Sequence, residues 1–485
     1  MFSYILLFLS SIPFLYPDSN LKLENKIYII IITSGLFSYS ILGLISLGLI
    51  HLDSSRFPIR IISFLIFLLT ILFTKDSLKI YSTIKNFLLL EFIKFQNNFR
   101  VLNQKKFLFL IVILLILITL SSIGPINHPD SLDYHVGYPY QYWLQGKFFI
   151  DGGLAQALMG AGDYAHLAFV QEKTIWLIRY LQISNLPIIS LFFINNIKNK
   201  LYIIGFLTSS TFIQWSTIGK PLFLGESSCA IAYILWRQSK DNLSRRLLLI
   251  CMISCISIKI SSLIVCTPIF IDIFIETFLN KRNDLQNKIS ILKNILFDRS
   301  ILLSITLLLF ILYTRFKIIG NFAYPLLTNI FNKNDILIKN FTEFISGYQR
   351  DGLFPLNIFL PISFSDIASS LGPGIFLIIL LLIINTLKEN YKKTNTLFYV
   401  CLTQIILLIM FCQGRADYYA MPLIISIYYA DNLNLFFRKN LLKISLNISI
   451  FIQLVLIIGY LLFSINQNIL SILDYEKTMI QSSYG

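Results

Sequence analysis

From Ile27 to Ile50 the chain runs without one charged side chain, and comparable apolar runs recur along its whole length. A helix rises about 1.5 Å per residue, so about 20 apolar residues cross the hydrocarbon core of a bilayer. Inside that core every backbone N–H and C=O has to be satisfied within the segment, which leaves the helix as the form such a run takes. The candidates are residues 1–16, 27–50, 58–74, 107–123, 176–194, 201–218, 221–236, 246–258, 260–279, 300–318, 370–386, 396–412, 418–431 and 444–465. They predict an all-α, polytopic transmembrane helical bundle of about 12–14 spans. Composition agrees: of 485 residues, 56% are hydrophobic and 13% charged, against about 45–50% and about 25% in soluble domains. That is too little polar surface to coat a water-soluble globule, so soluble enzymes, disordered chains and disulfide scaffolds are excluded.

Lys and Arg total 40 against 25 Asp and Glu, a net charge of +15. In a soluble chain this would suggest nucleic acid as a partner. Here the basic residues sit in short connections between apolar runs, the distribution that the positive-inside rule describes, and no nucleic acid is expected. Segments 75–106, 195–200, 237–246, 280–299, 387–395 and 432–443 are basic and belong to the cytoplasm. Alternation puts 124–175, 319–369 and 413–417 outside, in a multi-pass protein of the plasma membrane. Met1–Tyr16 lacks a basic flank and a small-residue cleavage site and reads as a first helix. Residues 165–180 read as an amphipathic helix at the outer interface. Six cysteines (Cys229, Cys251, Cys255, Cys266, Cys401 and Cys412) lie in or beside apolar runs, without a CxxC pair or metal-ligand spacing, and read as small apolar filler. No internal repeat is visible.

Three of the four histidines (His128, His135 and His166) and the densest acidic cluster fall in the first external loop. Pro129 ends its extended entry, Asp130 starts a helix, and Gly146 closes it. Asp130 and Asp133, three residues apart, share a helical face. A helix cap accounts for both carboxylates. It does not account for His135, Tyr134, Tyr138, Tyr140, Tyr142 and Trp143 beside them, although an interfacial aromatic belt takes up most of the rings. Carboxylates beside rings just outside a bilayer suit a site for a polar substrate at the membrane surface.

The segment Pro129-Asp130-Ser131-Leu132-Asp133-Tyr134-His135 resembles the first external loop of the GT-C membrane glycosyltransferases, the superfamily of the protein O-mannosyltransferases and the lipid A aminoarabinose transferases. In that loop an acidic residue or pair follows a helix, with Tyr four positions after the first acid, as Tyr134 follows Asp130. The second acid of the pair is Ser131 here. Lys220-Pro221, Lys259 within Ser257–Ser262, Gly320–Pro325 and Gln413–Tyr419 resemble further external positions of bacterial members. The resemblance covers about residues 107–431. It leaves residues 1–106 as extra N-terminal helices and a basic cytoplasmic loop, and 432–485 as a C-terminal helix and tail. The large external C-terminal domain of some members is missing.

The resemblance implies transfer of a sugar from a polyprenyl-phosphate donor to a lipid, glycan or protein acceptor outside the cytoplasm, with inversion. Asp130 is then the first choice for general base and Asp133 the second. Tyr134, His135, Lys220, Lys259 and Arg415 are the substrate-binding candidates, the cations holding the departing phosphate. Lys220, Lys259, Arg315, Lys317 and Arg415 stand at outer helix ends, and Lys259 interrupts an apolar run, where a charge is expensive. Glu226, also within an apolar run, has no assigned role. No cofactor is required, although the histidines and Asp130 or Asp133 offer ligands for a divalent cation. Two other classes fit a polytopic chain: a transporter or flippase of lipid-linked glycans, and a glycan polymerase or ligase. Transporters commonly carry repeated halves and sites at the midplane; here the unusual polar residues gather at one face.

Overall fold

The computed structural model describes residues 1–16, 26–74, 76–100, 102–126, 131–151, 154–209, 219–279, 293, 297–324, 327–331, 335–336, 338–340, 343, 356–360, 370–388, 396–411, 418–432 and 440–473. Among these residues the chain is helical and forms no strand. The main helices are α1 (Phe2–Leu15), α2 (Lys26–His51), α3 (Ile59–Phe73), α4 (Ser77–Arg100), α5 (Leu102–Ser122), α6 (Gly137–Gln145), α7 (Leu154–Leu158), α8 (Ala161–Gln171), α9 (Ile178–Gln182), α10 (Leu186–Asn196), α11 (Lys200–Leu207), α12 (Phe223–Ser239), α13 (Asn242–Ile258), α14 (Leu263–Phe274), α15 (Arg299–Ile319), α16 (Pro373–Lys388), α17 (Thr396–Phe411), α18 (Ala420–Asn432) and α19 (Asn440–Leu473).

Every predicted run carries helix among its described residues. Among the described residues, six stretches are long and apolar enough to cross a bilayer, or seven if the bent pair α3–α4 counts as one. The expected count of spans was larger because many apolar runs fold into short helices, such as α1 and α17. The exterior is apolar, as a membrane requires. Leu65, Leu69, Leu72 and Phe73 of α3 and Phe451, Val455, Leu462 and Phe463 of α19 are exposed, where a soluble protein would carry charge.

The helices alternate between two ends. At one, Lys26 pairs with Asp241, Asp431 accepts the Lys198 and Asn199 N–H groups, and Arg246 meets Asp298 and the Leu15 carbonyl. At the other, the N-terminal amine meets Glu172, His51 meets Thr314, and Asn468 joins Arg179 to the Ser121 carbonyl. Among the described residues, 195–200 and 237–246 fall at the first end and 161–175 at the second.

Two expectations change. Segment 75–106, read as a loop, is mostly helix: α4 follows α3 after a bend of 100° and ties itself down through Glu91, which accepts from Tyr28 and Asn195, both at 2.5 Å. Its lysines interleave with Leu and Phe at helical spacing, so the charge hid its structure. Residues 165–180 are not an interfacial amphipathic helix. α8 is buried on every side from Ala161 to Val170. Its neighbours come close because glycines let them: a Cβ on Gly160 would lie 2.0 Å from the Ile258 carbonyl oxygen, and one on Gly43 2.2 Å from that of Ala161.

Candidate functional site

The buried helix α8 organises the site. Asp163 stands at its third position, where the Gly160 N–H donates to Oδ2 at 2.7 Å and the positive helix end favours a carboxylate. The other oxygen, Oδ1, lies 2.5 Å from Nδ1 of His135. His135 ends a single π-helical turn, Ser131–His135, which precedes α6 and its left-handed cap at Gly146. Both side chains of the pair are fully buried.

Burial opposes the charge on Asp163, but the facing His135 and Lys259, with the Gly160 N–H, outweigh it and bring the carboxyl to about 2. Burial likewise pushes the His135 imidazole down to about 4; Asp163 pulls the other way, and Lys259 and Lys220 add to the push. At neutral pH the pair is therefore carboxylate and neutral imidazole. Nδ1–H donates to Asp163, so the lone pair sits on Nε2, which is buried and has no hydrogen-bond partner among the described residues. A buried aspartate that orients an imidazole and favours its protonated form is the arrangement general-base catalysis uses.

A second layer fixes the pair. The His135 carbonyl accepts from Nδ1–H of His166 at 2.7 Å, which leaves Nε2 of His166 facing the Tyr39 hydroxyl at 2.9 Å. That hydroxyl also lies 2.9 Å from the Gly162 carbonyl and accepts from Gln182 at 3.0 Å. Tyr39 belongs to α2, so residues 1–106 contribute directly to the site.

The cations gather on the same side. Lys259 occupies the extended break after α13, φ −149° and ψ 115°, and its Nζ stands 5.1 Å from the centre of the Tyr134 ring. Lys220 stands 4.6 Å from the Tyr418 ring centre and 3.4 Å from its hydroxyl. Both lysines are buried, and ring faces are among the few groups that stabilise an ammonium there. Arg315 holds the loop in place, donating to the carbonyls of Leu158 at 2.9 Å, Met159 at 3.0 Å and Tyr324. Lys317 lies over Phe148.

Of the residues singled out from sequence, His135, Tyr134, Lys220 and Lys259 come together. Asp133 is exposed at the rim, within electrostatic reach of Tyr138. Asp130, His128 and Arg415 lie outside the described residues. Sequence reasoning did not single out Asp163 and missed it as the partner of His135. The cap spacing Gly160 to Asp163 signals a helix start, not a histidine. It also missed Arg179, an arginine in an apolar run that donates to Asn468 at 2.9 Å and packs beside Gly219.

A cavity of about 620 Å3 opens between α1, α2, α4 and the start of α10, lined by Tyr4, Phe8, Ile32, Ile84, Leu88 and Ile188, with Lys85 among its few polar groups. The Tyr4 ring at its edge stands 6.5 Å from that of Tyr39. Tyr39 in turn faces His166, which bonds the His135 carbonyl.

The family model described as the DUF1420 N-terminal domain matches residues 5–479. No curated protein and no solved structure matches the chain.

Proposed function

We propose that this chain, which belongs to the DUF1420 family, is an integral membrane glycosyltransferase of GT-C type that moves a sugar from a polyprenyl-phosphate donor to an acceptor hydroxyl. The observation that carries the reading is the fully buried His135–Asp163 pair with Lys259 and Lys220 in its electrostatic surroundings. In this reading His135 Nε2 takes the acceptor proton, and Asp163 stabilises the imidazolium that forms. Such a base contributes about 10²–10⁴ in rate. Lys259 and Lys220 hold the phosphate as it leaves with the bonding electrons of the broken C–O bond. In this reading the role first given to Asp130 and Asp133 passes to His135, because His135 is buried and oriented by Asp163, whereas Asp133 stands exposed at the rim. The apolar cavity supports a lipid-borne donor: its size and lining suit a polyprenyl chain, and Tyr4 connects it to Tyr39. The positive-inside rule puts the pair on the extracytoplasmic side.

The test is purified protein in detergent with polyprenyl-phosphate sugars, following release of polyprenyl phosphate in wild type, His135→Gln, Asp163→Asn, Asp130→Asn and Asp133→Asn. Loss in the first two variants supports the base assignment. Full rates in both, with loss in Asp130→Asn, would return the role to Asp130. If the wild type releases no phosphate but moves a labelled lipid across liposomes, the transferase reading fails.

A further inference from the structure

Three cysteines far apart in sequence meet in the interior of the bundle. Cys229 of α12, Cys255 of α13 and Cys266 of α14 are buried, and their sulfur atoms all lie within 4.8 Å of one another. The helices supply one thiol each, so the cluster is a product of packing and not of a local motif. α12 makes room for it at Gly225: a Cβ there would stand 2.8 Å from the Cys255 sulfur. Cys251, one turn earlier on α13, lies beside Cys229 and 3.6 Å from the hydroxyl of Thr33. Cys401 lies 2.9 Å from the Ser426 hydroxyl, between α17 and α18.

We infer that Cys229, Cys255 and Cys266 form a binding site for a single thiophilic cation, Cu(I). Ligand type gives the class: sulfur ligands select soft cations such as Cu(I) and exclude Mg²⁺ and Ca²⁺, which take oxygen. Ligand number narrows it further. Structural zinc is four-coordinate, and no other described His, Cys, Asp or Glu joins this group of three. Three sulfurs suffice for Cu(I). A metal–sulfur bond of about 2.3 Å separates the sulfurs of such a site by about 4 Å, so the cluster needs only a small side-chain contraction. Cysteine ligates as thiolate, so three protons leave as Cu(I) binds, and no electron moves. Cys255 lies one turn before Lys259, so the bound ion would sit beneath the cations of the proposed active site and brace α12, α13 and α14 together.

The experiment is an anaerobic Cu(I) titration of the reduced, full-length protein in detergent against a chromophoric Cu(I) chelator, with X-ray absorption of the loaded sample. One Cu(I) per chain in a sulfur-only shell is expected. Cys229→Ser, Cys255→Ser and Cys266→Ser should each weaken it about 100-fold or more, while Cys401→Ser keeps it within about threefold. Failure of the wild type to compete for Cu(I), retention of copper by the triple variant, or preferential uptake of Zn(II) overturns the assignment. The wild-type titration is decisive even if a variant does not fold. Because copper is read directly, a negative result here leaves the transferase reading standing, and the reverse.

Discussion

The two ends of the bundle handle charge in opposite ways. At the basic end, ions are paired and partly wet: Lys240 meets Glu276, Arg237 reaches Asp272 and Glu276, and Arg246 meets Asp298. These groups keep side-chain exposures of 6–48%. At the other end, Asp163, His135 and His166 are fully buried, and Lys220 and Lys259 nearly so. Exposed pairs are worth about 0–1 kcal/mol and tolerate loss. Buried charges are retained only where a network holds them, and removing one partner strands the other. Packing therefore separates an end whose ion pairs are partly exposed from an end whose charged groups are buried.

The sharpest way to break this contrast is Asp163→Asn, expected to lower sugar transfer by about 10²–10⁴-fold with the fold retained, measured as polyprenyl phosphate released. An unchanged rate would put Asp163 among structural caps. Lys259→Met comes next, with transfer reduced by about 10–100-fold and donor KM raised, read from steady-state kinetics.

The pH dependence is the third. His135 stays deprotonated down to about 4 in the fold, whereas an unfolded imidazole protonates near 6.5. Between those values the unfolded chain binds the extra proton, so stability rises with pH across the window and is lost as pH falls. The acid limb of the rate should lie near 4, and His135→Gln should flatten the melting temperature between 6.5 and 4.

At the basic end, Glu91→Gln weakens the Tyr28 and Asn195 contacts and is expected to cost about 1–3 kcal/mol by thermal unfolding without changing the rate. Lys94→Ala removes a half-exposed partner of Glu91 and should change stability by less than about 1 kcal/mol.

How much of this was legible in the chain varies by element. α2, α5, α15 and α19 follow from long apolar runs, and the Gly146 cap was read at its position. α4 was not, because its lysines masked its helical spacing. α8 was misread because glycines, neutral in a hydropathy pattern, let backbones approach and bury what looked like an interfacial face. Among the site residues, His135, Tyr134, Lys220 and Lys259 stood out as polar groups in unusual places. Asp163 did not, since an aspartate near a helix start is ordinary until its neighbour is known. The cysteines looked like filler because their spacing along the chain carries nothing of the way α12, α13 and α14 pack.

Hydropathy and charge are local sums over neighbouring residues, and they were enough to define a helical membrane chain and most of its helices. The pairing of His135 with Asp163, the reach of Tyr39 from α2, the lysines over their rings and the meeting of three thiols all join positions far apart in the chain. Such contacts depend on which helices pack together and how closely their glycines let them approach, so they exist only once the bundle has closed.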